Sequence, residues 1–428
     1  MTARTDATEA GAGRFPGTLA DWLAYTPFFA TTFLAKWGVP VGPRDLGMSV
    51  ILILLALVIG LSTQRMRVDT RQFIAYLLML AVLGAFQLLG AREFSFLSFL
   101  LMMALYLCYT VRVERPGDSG QRAMHFVADC GAFIAACGVV QFASQFVLPY
   151  SLVFPIETLV PQHLQIDGYN TQIPLTYGSK IYKANGYFCL EPSFFSQLLA
   201  ITLLIELVTR NRLSRIALVA AGLAVSYSGT GLIILMVCLP VLVIARRRWD
   251  LIVLGVVVLI AGSLVSEKLN LDLFLQRAGE FTNPRSSGFE RFVGGFYLFE
   301  QYLWHDIGHA LTGYGAGTFQ GYADRAEYRA AEISFFKIVF EFGILGAILN
   351  LGFLFYTVFR SSAPPVIKLA VAVAYFMSGI YTATSHGFAL TLLIWPGARD
   401  GAVGDRSLFG GTASVRGHQR VTAEGARS

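Results

Sequence analysis

The sequence predicts an all-α integral membrane protein of about 12 transmembrane helices with two long external loops. Three observations predict it. Of 428 residues, 55% are hydrophobic and only 14% charged, whereas charged residues supply about a quarter of a soluble domain. Apolar runs of near-spanning length recur from one end of the chain to the other. Arginines cluster in alternate connections between those runs, which is the bias that orients membrane helices.

Residues 1–18 read as a disordered polar tail. The first fifteen lack the basic-then-apolar pattern of a cleavable signal, so the first hydrophobic run is expected to be retained. The runs at 20–37, 46–62, 73–90, 94–111 and 126–148 make the first group of helices, residues 19–148. A first long loop, 149–191, is divided by Pro149, Pro155, Pro161 and Pro174. Runs at 192–209, 216–228, 230–245 and 251–265 make the central group, 192–265, and the polar interval 266–332 is the second long loop. Runs at 333–358, 366–379 and 384–396 close the membrane part, 333–396, and residues 397–428 read as a second disordered tail. Several runs fall short of the roughly 20 residues of a straight span. The pair 216–228 and 230–245 is interrupted by Ser226-Tyr-Ser-Gly-Thr-Gly231.

Taking the N-terminus as cytoplasmic, the inner loops hold Arg65, Arg67 and Arg71; Arg112, Arg115 and Arg122; Arg210, Arg212 and Arg215; Arg246 to Arg248; and Arg360 with Lys368. Both termini are then expected inside, both long loops outside, and the number of spans even. The net charge of +6 resides largely in those short loops. It therefore does not point to nucleic acid. The five cysteines contain no CxxC pair and make no disulfide framework.

An external loop is under no topological pressure to collect arginines, so Arg285 and Arg291 stand out. Guanidinium groups match phosphate geometry by forked hydrogen bonds. The plainer reading pairs them with Glu280 and Glu290 or with anionic headgroups. Ser287-Gly-Phe-Glu290 has capping-box spacing, and the apolar residues from Phe289 to Leu303 recur at helical intervals. An amphipathic helix is expected there, its start beside Arg285 forming an anion site. Lys180 and Lys183 of the other loop, with Arg325, would complete a basic pocket. Pro192 suits the first position of a helix, placing Glu191 at its N-terminus, where a carboxylate is favoured. Glu332 stands just before the next run. His305 and His309 are four apart, but the pattern lacks a zincin glutamate and a third ligand. No metal is expected, and His305 is retained as an acid–base candidate with His309 secondary. Tyr314 lies in the turn Gly313-Tyr-Gly-Ala-Gly317, which lacks the GK[ST] of a phosphate loop. Glu206, Glu341 and His386 lie inside apolar runs, and the cost of charge in lipid turns them toward the bundle interior.

Four segments together resemble the O-antigen ligase and polymerase-like membrane proteins. They are Lys183-Ala-Asn-Gly-Tyr-Phe-Cys-Leu-Glu191-Pro-Ser193; Ser226 to Gly231; Arg291 followed by Gly313 to Gly317; and Glu332-Ile-Ser-Phe-Phe-Lys-Ile-Val-Phe-Glu341-Phe-Gly343. The chain looks most like an exopolysaccharide polymerase of the xanthan or acetan kind. It departs from the pattern in three places. Lys183 stands where arginine is usual, Gly229-Thr230 replaces Ser-Arg, and no histidine lies between His309 and His386. The last absence favours polymerase over ligase.

The resemblance implies a glycosyltransferase-C-like bundle in the bacterial inner membrane, with periplasmic loops. It implies a membrane glycosyltransferase that joins undecaprenyl-diphosphate-linked oligosaccharide repeats and releases undecaprenyl diphosphate, with no cofactor. Glu191, Arg291 and His305 would be catalytic, and Lys180, Lys183, Arg285, Arg291 and Arg325 would hold the diphosphate. Glu332, His309 and Tyr314 would be secondary. Partners would be the lipid-linked substrate, membrane lipid, a co-polymerase or chain-length regulator, and export proteins. The competing readings are a flippase of lipid-linked sugars, against which no repetition relates the two halves, and ligase-type transfer to another acceptor.

Overall fold

The computed structural model describes residues 18–41, 44–90, 93–114, 119–176, 178–252, 255, 277–378 and 384–396. The expected tails, most of the 251–265 run and the first part of the second loop lie outside the described residues.

Four helices among the described residues are long and apolar enough to cross a membrane: Thr70–Leu89, Gly120–Ser144, Gly229–Arg246 and Ser334–Phe359. The expectation of about twelve spans in an all-α, glycosyltransferase-C-like bundle is therefore overturned. The fold is mostly helical, with two small antiparallel sheets. Gly38–Val41 pairs with Arg44–Gly47, and Met66–Val68 pairs with Val111–Val113.

The reason is local. Hydropathy counts apolar residues but not where a helix stops. Met48–Ser62, Pro192–Val208, Leu213–Ser226 and Pro365–Met377 extend only about 20–26 Å at 1.5 Å per residue, short of the ~30 Å hydrocarbon. The 94–111 run is α-helical only from Phe96 to Leu107, then passes through a 3-10 turn into a strand. The 216–228 run stops where Tyr227 turns left-handed at φ 43°. The last run divides into Thr384–Phe388 and a π-helical turn, Ala389–Ile394.

The surface pattern is that of a lipid-embedded protein. Helix Thr70–Leu89 buries Gln72 and Gln87 while Leu78, Leu88 and Leu89 stand exposed. Water would reverse that preference; hydrocarbon does not, because a leucine loses nothing there and an amide must find a partner. Gln87 finds two, donating to the Glu341 carbonyl and accepting from the Ala316 N–H.

Two buried apolar clusters position the site. The larger runs through the bundle and includes Phe195, Tyr106 and Trp395. The smaller lies under the second loop and is built on Leu298, Tyr314, Phe319 and Phe340. The long amphipathic helix expected after Phe289 is broken into Ser287–Phe292, Gly294–Leu298 and a π-helical turn, Phe299–Leu303. Its cap is Ser286, one residue earlier than the spacing predicts, with Oγ accepting from Phe289 N–H at 3.2 Å. The break falls where Gly294 meets segment 329–330; a Cβ there would lie 2.1 Å from the Arg329 carbonyl.

Candidate functional site

The segment from Lys183 to Ser193 is fixed by backbone bonding before any charge is considered. Gln141 accepts from the N–H groups of Asn185 and Gly186 and donates to the Asn185 carboxamide. Lys183 N–H donates to Ile173 and Ala184 N–H to Val225. Asn185 is fully buried, its amide donating to the Thr171 carbonyl. An asparagine is needed here because it supplies donor and acceptor together.

The serine-rich segment then latches onto the first turn of helix Pro192–Val208. Thr230 donates to the Ser193 carbonyl at 2.9 Å, and Ser196 Oγ accepts from Gly231 N–H at 2.8 Å. A Cβ on Gly231 would lie 2.3 Å from the Ser196 carbonyl. Only glycine allows that approach.

Glu191 sits at the N-cap with Pro192 at the first helical position, but its side chain does not cap the helix. Its Oε2 accepts from Arg291 Nη2 at 2.6 Å and from Ser193 Oγ at 2.9 Å, and its Oε1 accepts from Asn170 N–H at 3.3 Å. The ion pair therefore joins the two long loops, a hundred residues apart in sequence. Arg291 spends one of five N–H donors in it and remains partly exposed.

A second charged group lies at the start of helix Ser334–Phe359. The Lys337 ammonium donates to Glu332 and, at 2.9 Å, to Glu341, whose Oε1 also accepts from Phe319 N–H. Glu341 is fully buried and Glu332 partly exposed. Nearby, Gly343 breaks the helix with φ 67°. The carbonyls of Phe340 and Glu341 instead accept from Tyr314 and Gly315 N–H, at 3.0 and 3.1 Å. The glycine turn 313–317 is thus a backbone clamp on a helix kink.

These groups line one cavity of 1810 Å³. Lys183, Glu191, Arg291, Arg329, Glu332 and Lys337 are among its polar lining, and Leu54, Leu97, Leu101, Leu232 and Met236 among its apolar lining. Of the ten residues singled out in the sequence, the structure brings Lys183, Glu191, Arg291 and Glu332 to this cavity. It does not bring the other six. Lys180, Arg285 and Arg325 are exposed and lie off the lining. His305 is exposed; His309 bonds Asp306 through Nδ1 at 2.6 Å and stacks on Tyr314 at 4.4 Å. That bond holds the Asp306 carboxyl below the usual carboxylate range. Tyr314 is buried, its hydroxyl donating to the Tyr302 carbonyl. Carboxylates outnumber cations on the lining, seven to four, so the cavity is of mixed charge rather than a basic pocket.

Lys337 is the main residue missed. A lysine four residues before Glu341 in an apolar run is an i,i+4 pair, and that spacing could have found it. Asn170 contributes through its backbone, which leaves no sequence signal.

A mostly helical, multi-pass membrane protein whose cavity is lined by both apolar and charged side chains is suited to an amphiphile. The chain belongs to the WcaD colanic acid polymerase family, whose sequence profile matches residues 41–395. It is accordingly a polysaccharide polymerase of the O-antigen ligase and polymerase-like class. No curated protein matches it.

Proposed function

We propose that this protein joins undecaprenyl-diphosphate-linked oligosaccharide repeats into an exopolysaccharide at the periplasmic face of the inner membrane. The single observation that carries the reading is that Arg291 and Lys183, from two separate loops, line one cavity together with apolar side chains such as Leu97, Leu101 and Leu232. The polyprenyl tail lies along those apolar side chains and the diphosphate meets the two cations. As the anomeric bond breaks, negative charge grows on the leaving diphosphate, and fixed cations in a partly dehydrated site stabilise that charge more than they stabilise the ground state. The volume supports it too, because drug-sized ligands occupy roughly 300–1,000 Å³ and two lipid-linked oligosaccharides need more. Because side chains neutralise the leaving group, the reaction needs no divalent cation. Both termini lie in the cytoplasm.

The test is elongation of purified lipid-linked repeat units by the full chain in detergent, with products sized by mass. Longer glycans, formed equally in the presence of a chelator, are expected. Detergent has no second compartment, so elongation there cannot be transport. Unextended substrate would refute the reading. Reporter fusions within 277–332 should report the periplasmic side.

A further inference from the structure

Seven carboxylates line the cavity, and two of them, Glu191 and Glu332, are held by cations of the same wall; their surroundings differ. Glu191 accepts from three donors, one of them Arg291. Both of its oxygens are engaged, so receiving a hydroxyl proton would displace Arg291, Ser193 or Asn170. Glu332 accepts from Lys337 through Oε1 alone, and Oε2 has no partner among the described residues. Lys337 is shared between Glu332, which is partly exposed on the wall, and Glu341, which is fully buried and off it. A proton taken at Glu332 Oε2 displaces no bond made to Glu332 among the described residues.

Position agrees. Ala331 N–H donates to the Glu290 carbonyl at 2.8 Å, and Gly294 lies against the Arg329 carbonyl. The segment ending at Glu332 is thus bonded to the helix that carries Arg291.

We propose that Glu332 is the general base for the acceptor hydroxyl, and that Glu191, expected in that role from the sequence, is a positioning residue that holds Arg291. The inference rests on the glycosyl-transfer reading above. In the step, the acceptor oxygen bonds to the anomeric carbon and the bond from that carbon to the diphosphate oxygen breaks. The electron pair goes to the diphosphate, beside Arg291 and Lys183. The hydroxyl proton goes to Glu332 Oε2 and then to water.

The experiment is the pH profile of elongation by wild type, Glu332→Gln and Glu191→Gln in detergent, with donor KM and kcat measured separately. E332Q should lose about 100-fold or more in kcat, keep its donor KM within about threefold, and lose the acid limb of the profile. E191Q should raise donor KM about tenfold and keep the acid limb. Asp45, Asp167, Glu191, Glu290, Asp324 and Glu327 remain on the wall in E332Q, with Lys183, Arg291, Arg329 and Lys337 as the cations. An acid limb that survives in E332Q would assign the proton to one of those carboxylates and overturn the proposal. So would an acid limb lost in E191Q, which is decisive even if E332Q does not fold. Wild-type protein that extends nothing would instead overturn the glycosyl-transfer reading itself.

Discussion

Where helix Pro192–Val208 ends, Arg210 and Arg215 meet Asp129 and Glu206; on the cavity, Arg291 and Lys337 meet Glu191, Glu332 and Glu341. The residue types are alike. In the first group Arg215 bonds both Asp129, at 2.5 Å, and Glu206, at 2.7 Å, while Arg210 forks onto both Asp129 oxygens. Two guanidinium groups face two carboxylates, so the charges match, although fully buried Glu206 keeps one oxygen, Oε2, without a partner among the described residues. The second group is less evenly matched. Among the described residues Arg291 pairs with Glu191, while Lys337 serves both Glu332 and Glu341. The matched group braces helices; the second lies on the cavity, where a member can exchange its partner for a substrate. A cluster of charge inside a membrane protein is thus to be judged by how its charges match and by what it faces.

That contrast can be broken by substitution. Arg215→Ala should have the largest effect on folding, about 3 kcal/mol, because it strips a partner from a buried carboxylate. Thermal denaturation in detergent should show the loss, while elongation per folded molecule stays near wild type. A variant of normal stability and no activity would reverse the roles assigned to the two groups. Arg291→Ala should do the opposite, losing about 100-fold in elongation rate, near 2.7 kcal/mol, with melting behaviour little changed. Loss of stability in place of rate would make that pair a second brace.

Gly231→Ala should sharpen the boundary between them. Its new Cβ meets the Ser196 carbonyl, and such overpacking costs about 1–3 kcal/mol. It should also move the Glu191 end of the helix and raise donor KM. A variant with unaltered KM would uncouple the serine-rich segment from the cavity. The smallest effect is expected for Arg285→Ala. Its side chain is exposed and off the cavity, so the rate should stay within about twofold and the stability within about 0.5 kcal/mol. A loss comparable to that of Arg291→Ala would restore Arg285 to the diphosphate site.

The pairing of Glu191 with Pro192 at a helix start was legible, since both preferences are local. So was the expectation that Glu206 and Glu341 point inward, because hydrocarbon leaves a charge few alternatives; the structure pairs both. The number of spans was not legible. Apolar composition marks residues that avoid water, and the same composition serves a 26-residue helix, a 12-residue helix or a π-helical turn. The break at Gly343 shows why: the 333–358 run contains no proline, and the kink depends on Tyr314 and Gly315 N–H groups arriving from another segment. Nor could spacing separate Arg285 from Arg291. They are six residues apart, and only the fold turns one toward Glu191.

By itself the sequence determined that the chain lives in lipid, that its chemistry-bearing residues gather in two polar intervals, and that these carry the marks of a polysaccharide polymerase. Tertiary structure decided which charges share a cavity and which of them pair. The reason is range: burial preference and helix capping act within a few residues, whereas the Arg291–Glu191 contact closes a loop of a hundred and depends on everything packed between them.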